Sequence, residues 1–266
     1  MELRVYKSLW GMSGTASQQI AAIAAADYNG VESACEEIAD PAGFKALLEE
    51  HKLDYIPLIY TEGDHYASFE CLIDLAATYA PQKIVAHAGR DVMSFREQVQ
   101  FFTHALKIEQ AYGIPIAHET HRRRPLFSPM NTLALLAELP ELKLNIDLSH
   151  WCCVTESMLE DHGEAVHRAL AQSIHLHARV GYENGPQVPD PRVREWEAHQ
   201  GRFEVWWKEY VSTQLRSGAS VCTVTPEYGP PSYMHTLPAT GLPAADLWEV
   251  CLWSAIRFRE MYRTIV

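Results

Sequence analysis

Long hydrophobic runs are missing from this 266-residue sequence. A membrane-spanning helix needs about eighteen or more consecutive apolar residues, and no stretch of the chain approaches that length. The opening segment, MELRVYKSLWG, lacks a basic region followed by an apolar one, so the sequence predicts no export signal. We therefore expect a cytoplasmic protein that does not bind membranes.

Positive charge and paired cysteines are also scarce. The chain has 22 Lys and Arg against 34 Asp and Glu, and its formal net charge is −12. A surface this acidic repels phosphodiester backbones, which argues against nucleic acid as a partner. The six cysteines form no CxxC pair, and Cys152 and Cys153 are adjacent, so free thiols in a reducing compartment are expected.

Short apolar runs do recur along the chain, separated by helical patterns. Most are continuous rather than alternating, which is typical of parallel strands buried on both faces. Eight such units in one chain of this length favour an α/β fold, a single-domain (β/α)8 TIM barrel over residues 1–266. A doubly wound open sheet is the alternative, but no GxGxxG turn follows the first strand. The predicted strands are Leu3–Lys7, Gly30–Ser33, Tyr55–Tyr60, Lys83–His87, Ile114–His118, Leu144–Asp147, Ser173–His177 and Val221–Thr225.

Several predicted helices begin at recognisable caps. Asp40 is followed by Pro41, the pairing of an N-cap with proline at the first helical position. Ser94 and Glu97 have the spacing of a capping box. The last helix is predicted from about Ala244 to Arg263, because apolar residues there fall along one stripe.

Four residues with metal-ligating side chains lie at the ends of four of the predicted strands. A single Asp or Glu at a strand end is more often a helix cap, but four in register on successive strands predict one shared divalent-metal site. Barrel active sites lie at this end of the strands. Carboxylates with one imidazole suit Mn²⁺, Mg²⁺ or Co²⁺, with Zn²⁺ as a further option. The four residues are Glu119, Asp147, His177 and Glu227.

Other polar residues are expected at the same end of the barrel and are candidates for substrate contact. His150 lies three residues after Asp147 in DLSH, and the alternative interpretation is that it is a partly exposed loop histidine. His175 lies two residues before His177, and packing inside the barrel is favoured for it. The candidates for substrate binding are Glu32, His87, Arg90, His150 and Arg179.

A long connection follows His177. A helical pattern resumes only at Phe203, and a loop of this length inside a compact domain is usually functional. We predict that the insertion at about 180–201 acts as a lid over the site and helps to choose the substrate. Trp10 and the pair Trp206–Trp207 have two interpretations, as the wall of a sugar pocket or as core residues.

The motifs HET, DLSH, HLH and PEYG resemble those of the xylose-isomerase-like barrel superfamily, which includes ketose 3-epimerases and hydroxypyruvate isomerase. The segment HARVGYENGPQVPDPR looks like a subgroup labelled sugar phosphate isomerase/epimerase. The resemblance implies that Glu119, Asp147, His177 and Glu227 hold one divalent metal. It also implies that Glu119 and Glu227 are the catalytic acid/base pair, and that His150 helps to hold the substrate. Ketose epimerases carry a substrate-binding arginine at the position of Glu183, which leaves the substrate open.

We therefore expect a metal-dependent isomerase or epimerase of a small sugar or sugar derivative, acting by proton transfer through an enediolate at the metal. A metal-dependent lyase or dehydratase of a keto-sugar or keto-inositol remains an alternative. A zinc-dependent abasic-site endonuclease is a weaker one, because the Asp-x-His pair that it requires is replaced by Asp190-Pro-Arg192. The last alternative is a non-catalytic sugar-binding barrel. The sequence does not show whether the substrate is phosphorylated. It also leaves the oligomeric state open, and a homo-oligomer is one option.

Overall fold

A computed structural model describes all 266 residues and contains a closed barrel of eight parallel strands. Each strand pairs with the next, and β8 pairs with β1 to close the barrel. The predicted (β/α)8 fold is confirmed. Each predicted strand begins and ends within two residues of the observed strand. The strands are β1 (Glu2–Ser8), β2 (Gly30–Ala34), β3 (Asp54–Tyr60), β4 (Ile84–His87), β5 (Ile116–Glu119), β6 (Leu144–Ile146), β7 (Ser173–His177) and β8 (Val221–Thr225).

Nine α-helices surround the barrel, and none of them is long and apolar enough to cross a membrane. The predicted caps are present: Asp40 accepts a hydrogen bond from the backbone of Gly43, and Ser94 and Glu97 form a reciprocal capping box. The helices are α1 (Ala16–Ala25), α2 (Pro41–His51), α3 (His65–Ala77), α4 (Phe95–Tyr112), α5 (Pro129–Glu138), α6 (Leu148–Thr155), α7 (Gly163–Ala171), α8 (Glu197–Arg216) and α9 (Leu247–Arg263).

Two predicted helix boundaries were wrong. The last helix begins at Leu247 rather than near Ala244, because the Asp246 side chain accepts a hydrogen bond from the Glu249 backbone and caps it there. Helix α8 begins at Glu197, well before the predicted start at Phe203. Its first turns are polar and contain a glycine, a poor helix former, so the sequence pattern concealed them.

Side chains fill the interior of the barrel below its C-terminal end. Lys83 reaches into this interior, where its ammonium donates to the carbonyl oxygen of Ile174 and lies 2.9 Å from the hydroxyl of Thr223. Burial lowers the pKa of Lys83 to about 8. A much larger apolar core lies between the strands and the helices. The interior apolar side chains are Tyr6, Ile56, Leu58, Val85 and Ala117.

The segment 180–201 is firmly attached to the chain that follows β8. The side-chain amide of Gln187 donates to the carbonyl of Gly229 at 3.1 Å and accepts from the Gly229 amide at 2.7 Å. The backbone amide of Val180 donates to the Tyr228 hydroxyl at 3.2 Å. These contacts hold the segment in place, and its roles as a lid and in substrate choice stay predictions.

Candidate active site

The four predicted ligands come together at the C-terminal end of the barrel. One nitrogen or oxygen from each of Glu119, Asp147 and His177 lies within 4.8 Å of the others. Glu227 joins them, with its Oε2 at 3.4 Å from Nδ1 of His177. All four side chains are buried. We call them the four-residue cluster, and metal binding by this cluster remains a prediction.

Glu32 orients the His177 ring from behind. Nε2 of His177 donates to the Glu32 carboxylate at 2.7 Å, so that Nδ1 faces Glu119 at 3.1 Å. The same carboxylate accepts from the Thr225 hydroxyl and lies 3.2 Å from Nε2 of His175. A carboxylate behind a ligand histidine fixes the orientation of the ring and increases its basicity. The contacts of Glu32 therefore favour support of His177 over the predicted contact with substrate.

Positive charge is favoured at the His177 ring. Burial lowers the pKa of His177, but the carboxylates of Glu32, Glu227 and Glu119 outweigh that effect and raise it well above the ordinary value. The surroundings of the ring nitrogen that faces Glu119 and Glu227 therefore favour a cation.

The guanidinium of Arg179 lies against the opposite side of the cluster. It forms ion pairs with Asp147 and, at 3.1 Å, with Glu227. It also donates to Nε2 of His150 at 2.8 Å, and only 1% of the residue is exposed. Arg179 was predicted to bind substrate, but these contacts favour the role of a buried counter-ion for two of the predicted ligands.

The side chains of the cluster fit a divalent metal ion. Oε1 of Glu119 and Nδ1 of His177 are buried and have no hydrogen-bond partner, whereas buried polar atoms are normally paired. Carboxylate oxygens with one imidazole nitrogen suit Mn²⁺, Mg²⁺ or Co²⁺, and Zn²⁺ accepts the same donors. The cluster has three carboxylates and Arg179 pairs with two of them, so a cation would neutralise the remaining negative charge.

Asp147 caps a helix and also directs an oxygen into the cluster, whereas metal binding by it stays a prediction. Its Oδ1 accepts from the Ser149 backbone at 2.9 Å and caps helix α6, while its Oδ2 faces Arg179. Burial raises the pKa of this carboxyl above its ordinary value. One oxygen is thus committed to local structure and the other is directed into the cluster.

Three histidine rings form a row beside the cluster. Nε2 of His87 lies 2.6 Å from Oε2 of Glu119, the rings of His87 and His121 are 4.5 Å apart, and those of His121 and His150 are 3.9 Å apart. Burial lowers the pKa of His121 and of His150 well below the ordinary value, so both rings are neutral. His121 was not predicted as a site residue, although it lies two residues after Glu119.

Two tyrosines at the site were also missed. Tyr60 ends β3, and its ring lies 4.5 Å from that of His87, so the strand-end rule that found His87 could have found it. Tyr233 lies in the long loop after β8, with its ring 5.0 Å from the Arg179 guanidinium and 4.9 Å from the Trp10 ring. No strand end precedes Tyr233 directly, so the sequence offered no signal for it.

Arg90 is the predicted site residue with the least connection to the cluster. Its Nε lies 3.9 Å from Asp91, its side chain is 38% exposed, and it forms no ion pair or hydrogen bond with the four-residue cluster. Arg124 instead ties two site loops together, donating to the carbonyls of Thr61 and Gly89 at 3.0 and 2.9 Å.

The support from Glu32 can be tested by substitution. We expect Glu32→Gln to weaken binding of Mn²⁺ about 10–100-fold, because the amide does not supply the negative charge that holds the His177 ring. Calorimetric titration of the metal-free protein measures this. Glu36→Gln, which alters an exposed carboxylate just after the same strand, should bind normally. Wild-type affinity in Glu32→Gln would show that His177 needs no such support.

Comparison with known proteins identifies the fold. No family model and no curated protein matches the chain. Among solved structures, a D-tagatose 3-epimerase-like protein is 14% identical with a TM-score of 0.63 and 98% of each chain covered. A probable 3-DHS dehydratase from Bacillus anthracis is 12% identical with a TM-score of 0.63, covering 96% of this chain and 98% of that one.

A third structure, a xylose isomerase-like TIM barrel protein from Mycobacterium smegmatis in complex with magnesium, is 12% identical with a TM-score of 0.61. The match covers 98% of this chain and 97% of that one. AP endonucleases are also among the matches. The chain therefore has the xylose isomerase-like barrel fold that its motifs predicted. Identities this low show the fold alone.

Proposed function

We propose that this protein is a metal-dependent isomerase or epimerase of a small sugar or sugar derivative. One observation carries the proposal: two buried glutamates, Glu119 and Glu227, adjoin the same ring nitrogen of His177, at 3.1 and 3.4 Å. A pair of carboxylates beside a cation can take a proton from a carbon and return one to it. One similar structure, that of a D-tagatose 3-epimerase-like protein, agrees with this class.

The two glutamates would carry the proton. When bound, the metal polarises a substrate carbonyl and so acidifies the neighbouring C–H bond. Glu119, from β5, and Glu227, from the chain after β8, approach His177 from separate parts of the barrel wall. One carboxylate would remove the proton at the adjacent carbon, and the other would return a proton. Asp147 and His177 would act as ligands only.

His150 would hold a substrate oxygen. An arginine can only donate, so Nε2 of His150 accepts from Arg179, and the proton of this neutral ring lies on Nδ1. Nδ1 of His150 is buried and has no partner. It is therefore a free donor beside the cluster, suited to a hydroxyl or carbonyl oxygen of the substrate. His87, which contacts Glu119, is the second candidate for substrate contact.

Hydrogen exchange with solvent tests the reaction class. The protein, loaded with Mn²⁺, Mg²⁺ or Co²⁺, is incubated in D₂O with a panel of ketoses and keto-sugars. NMR should show deuterium entering the carbon next to the carbonyl, without loss of water, and chelation of the metal should abolish the exchange. If no metal and no substrate of the panel gives exchange above the chelated control, the proposal is wrong.

A metal-dependent lyase or dehydratase of a keto-sugar or keto-inositol is the second candidate. Removal of the same proton leads to elimination when a leaving group occupies the next carbon, and one similar structure is named as a probable dehydratase. Mass spectrometry of the products distinguishes the two, because only the lyase releases water. A zinc-dependent nuclease is disfavoured, since Arg192 pairs with Asp190 at 2.7 Å where that class needs a histidine.

A further inference from the structure

A large cavity extends from Glu227, one residue of the four-residue cluster, toward helices α1 and α2. It runs from Glu227 and Tyr60 at the barrel mouth, past Trp10, to Leu47 on α2, and its volume is about 910 Å³. Pockets for drug-sized ligands measure about 300–1,000 Å³, so this cavity is near the upper end of that range. A single sugar ring at the cluster would leave most of the space empty.

The walls of this cavity are mainly apolar. Of the 21 lining residues, 12 are hydrophobic. The indole of Trp10 is 37% exposed but held in place: it packs edge-on against Tyr233, and a Cβ added at Gly229 would come within 2.1 Å of it. A rigid, exposed apolar wall next to a reactive centre is typical of a ligand-binding surface. Its apolar residues include Leu9, Trp10, Met12, Ile38 and Leu47.

All the carboxyl and basic side chains that could carry charge in the cavity are carboxylates. Its ionisable carboxyl groups are Glu37, Asp40, Glu50 and Glu227, and no lysine, arginine or histidine lies among its lining residues. Phosphate and carboxylate groups are recognised by arginine, lysine or backbone donors, whereas carboxylates repel them. An anionic substituent therefore has no partner in this cavity.

We propose that the substrate is an uncharged conjugate, a keto-sugar that carries an aryl or alkyl substituent. The sugar lies against the four-residue cluster, and the substituent fills the cavity between Trp10 and Leu47. The keto-sugar part of this statement rests on the proposed function, whereas the substituent rests on the volume, the apolar walls and the charge of the cavity. A sugar phosphate is not the substrate.

Binding measurements test the substituent without any turnover. Metal-loaded protein is titrated in a calorimeter with 4-nitrophenyl β-glucoside, methyl β-glucoside and glucose 6-phosphate. We expect the aryl glucoside to bind at least about tenfold more tightly than the methyl glucoside, because its ring is removed from water. Glucose 6-phosphate should bind no more tightly than the methyl glucoside. Equal affinities of the two glucosides, or tighter binding of the phosphate, would overturn the proposal.

A substitution in the cavity locates the effect. Leu47→Lys should reduce the aryl preference to less than about threefold while metal affinity and methyl glucoside binding stay as in the wild type. Leu252→Lys, a matched change of a partly buried leucine on α9 outside the cavity, should keep the full preference. Circular dichroism verifies that both variants fold. An aryl preference that survives in Leu47→Lys would place the substituent elsewhere and overturn the proposal.

The outcomes separate this inference from the proposed function. An aryl preference without any hydrogen exchange would support the cavity assignment and count against the isomerase. Exchange on free ketoses without an aryl preference would support the isomerase and overturn the conjugate.

Discussion

Replacing Glu119 or Glu227 with glutamine should lower the rate of hydrogen exchange about 10²–10⁴-fold, the usual contribution of a general acid or base. Each glutamine keeps an oxygen that can face a metal but loses the ability to carry a proton. NMR initial rates in D₂O at saturating Mn²⁺ measure the effect. Elemental analysis of the same samples shows how much metal remains bound, so that a lost proton carrier is distinguished from a lost ligand.

Glu49→Gln is the control for this pair, because it changes an exposed carboxylate on α2 and should exchange at the wild-type rate. If Glu119→Gln and Glu227→Gln both keep the wild-type rate, neither glutamate is the proton carrier. If only one of them loses activity, a single base serves the reaction, which is the pattern of an isomerase that uses one face of its substrate.

Arg179→Met should destabilise the metal-free protein by about 3–5 kcal/mol, the usual cost of removing one partner from a buried ion pair. The change leaves Asp147 and Glu227 buried without the guanidinium that now lies between them. Saturating Mn²⁺ should restore most of the loss, because a ligand that binds only the folded state stabilises it. Urea unfolding with a chelator and with Mn²⁺ measures both effects.

Arg192→Met provides the comparison, since Arg192 forms an exposed ion pair with Asp190 and its removal should cost less than about 1 kcal/mol. An Arg179→Met protein that is as stable as the wild type in chelator would show that the guanidinium is not the counter-ion of the cluster. If Mn²⁺ does not restore the stability of Arg179→Met, the cluster does not bind this metal when the guanidinium is absent.

The barrel and the position of its site were predictable from the sequence because both follow from local patterns. Strands buried on both faces have continuous apolar runs, and the residue at the end of each run lies at the C-terminal rim of the barrel. This reasoning placed Glu119 and His177 correctly on β5 and β7. It could not predict which side chains contact each other across the barrel. Glu32 on β2 supports His177 on β7, and that contact depends on how the closed barrel brings distant strands together.

Contacts between separate loops could not be predicted from the sequence. Arg179 lies two residues after His177, but nothing in the pattern indicates that its guanidinium lies between Asp147 and Glu227. Tyr233 comes from a loop with no repeating spacing and stacks over the same arginine. Such positions are set by tertiary packing, and packing overrides local preference.

The apolar cavity and the four-residue cluster are encoded in different parts of the gene. Every residue that lines the cavity lies within residues 8–60, with the single exception of Glu227, whereas the cluster comes from β5 to β8 and the chain after β8. Under the proposed assignment of cavity and cluster, mutation or recombination in the first quarter of the chain would change substrate range and leave the chemistry intact, provided that Glu32 is kept. A library confined to this quarter would be the economical route to new substrates.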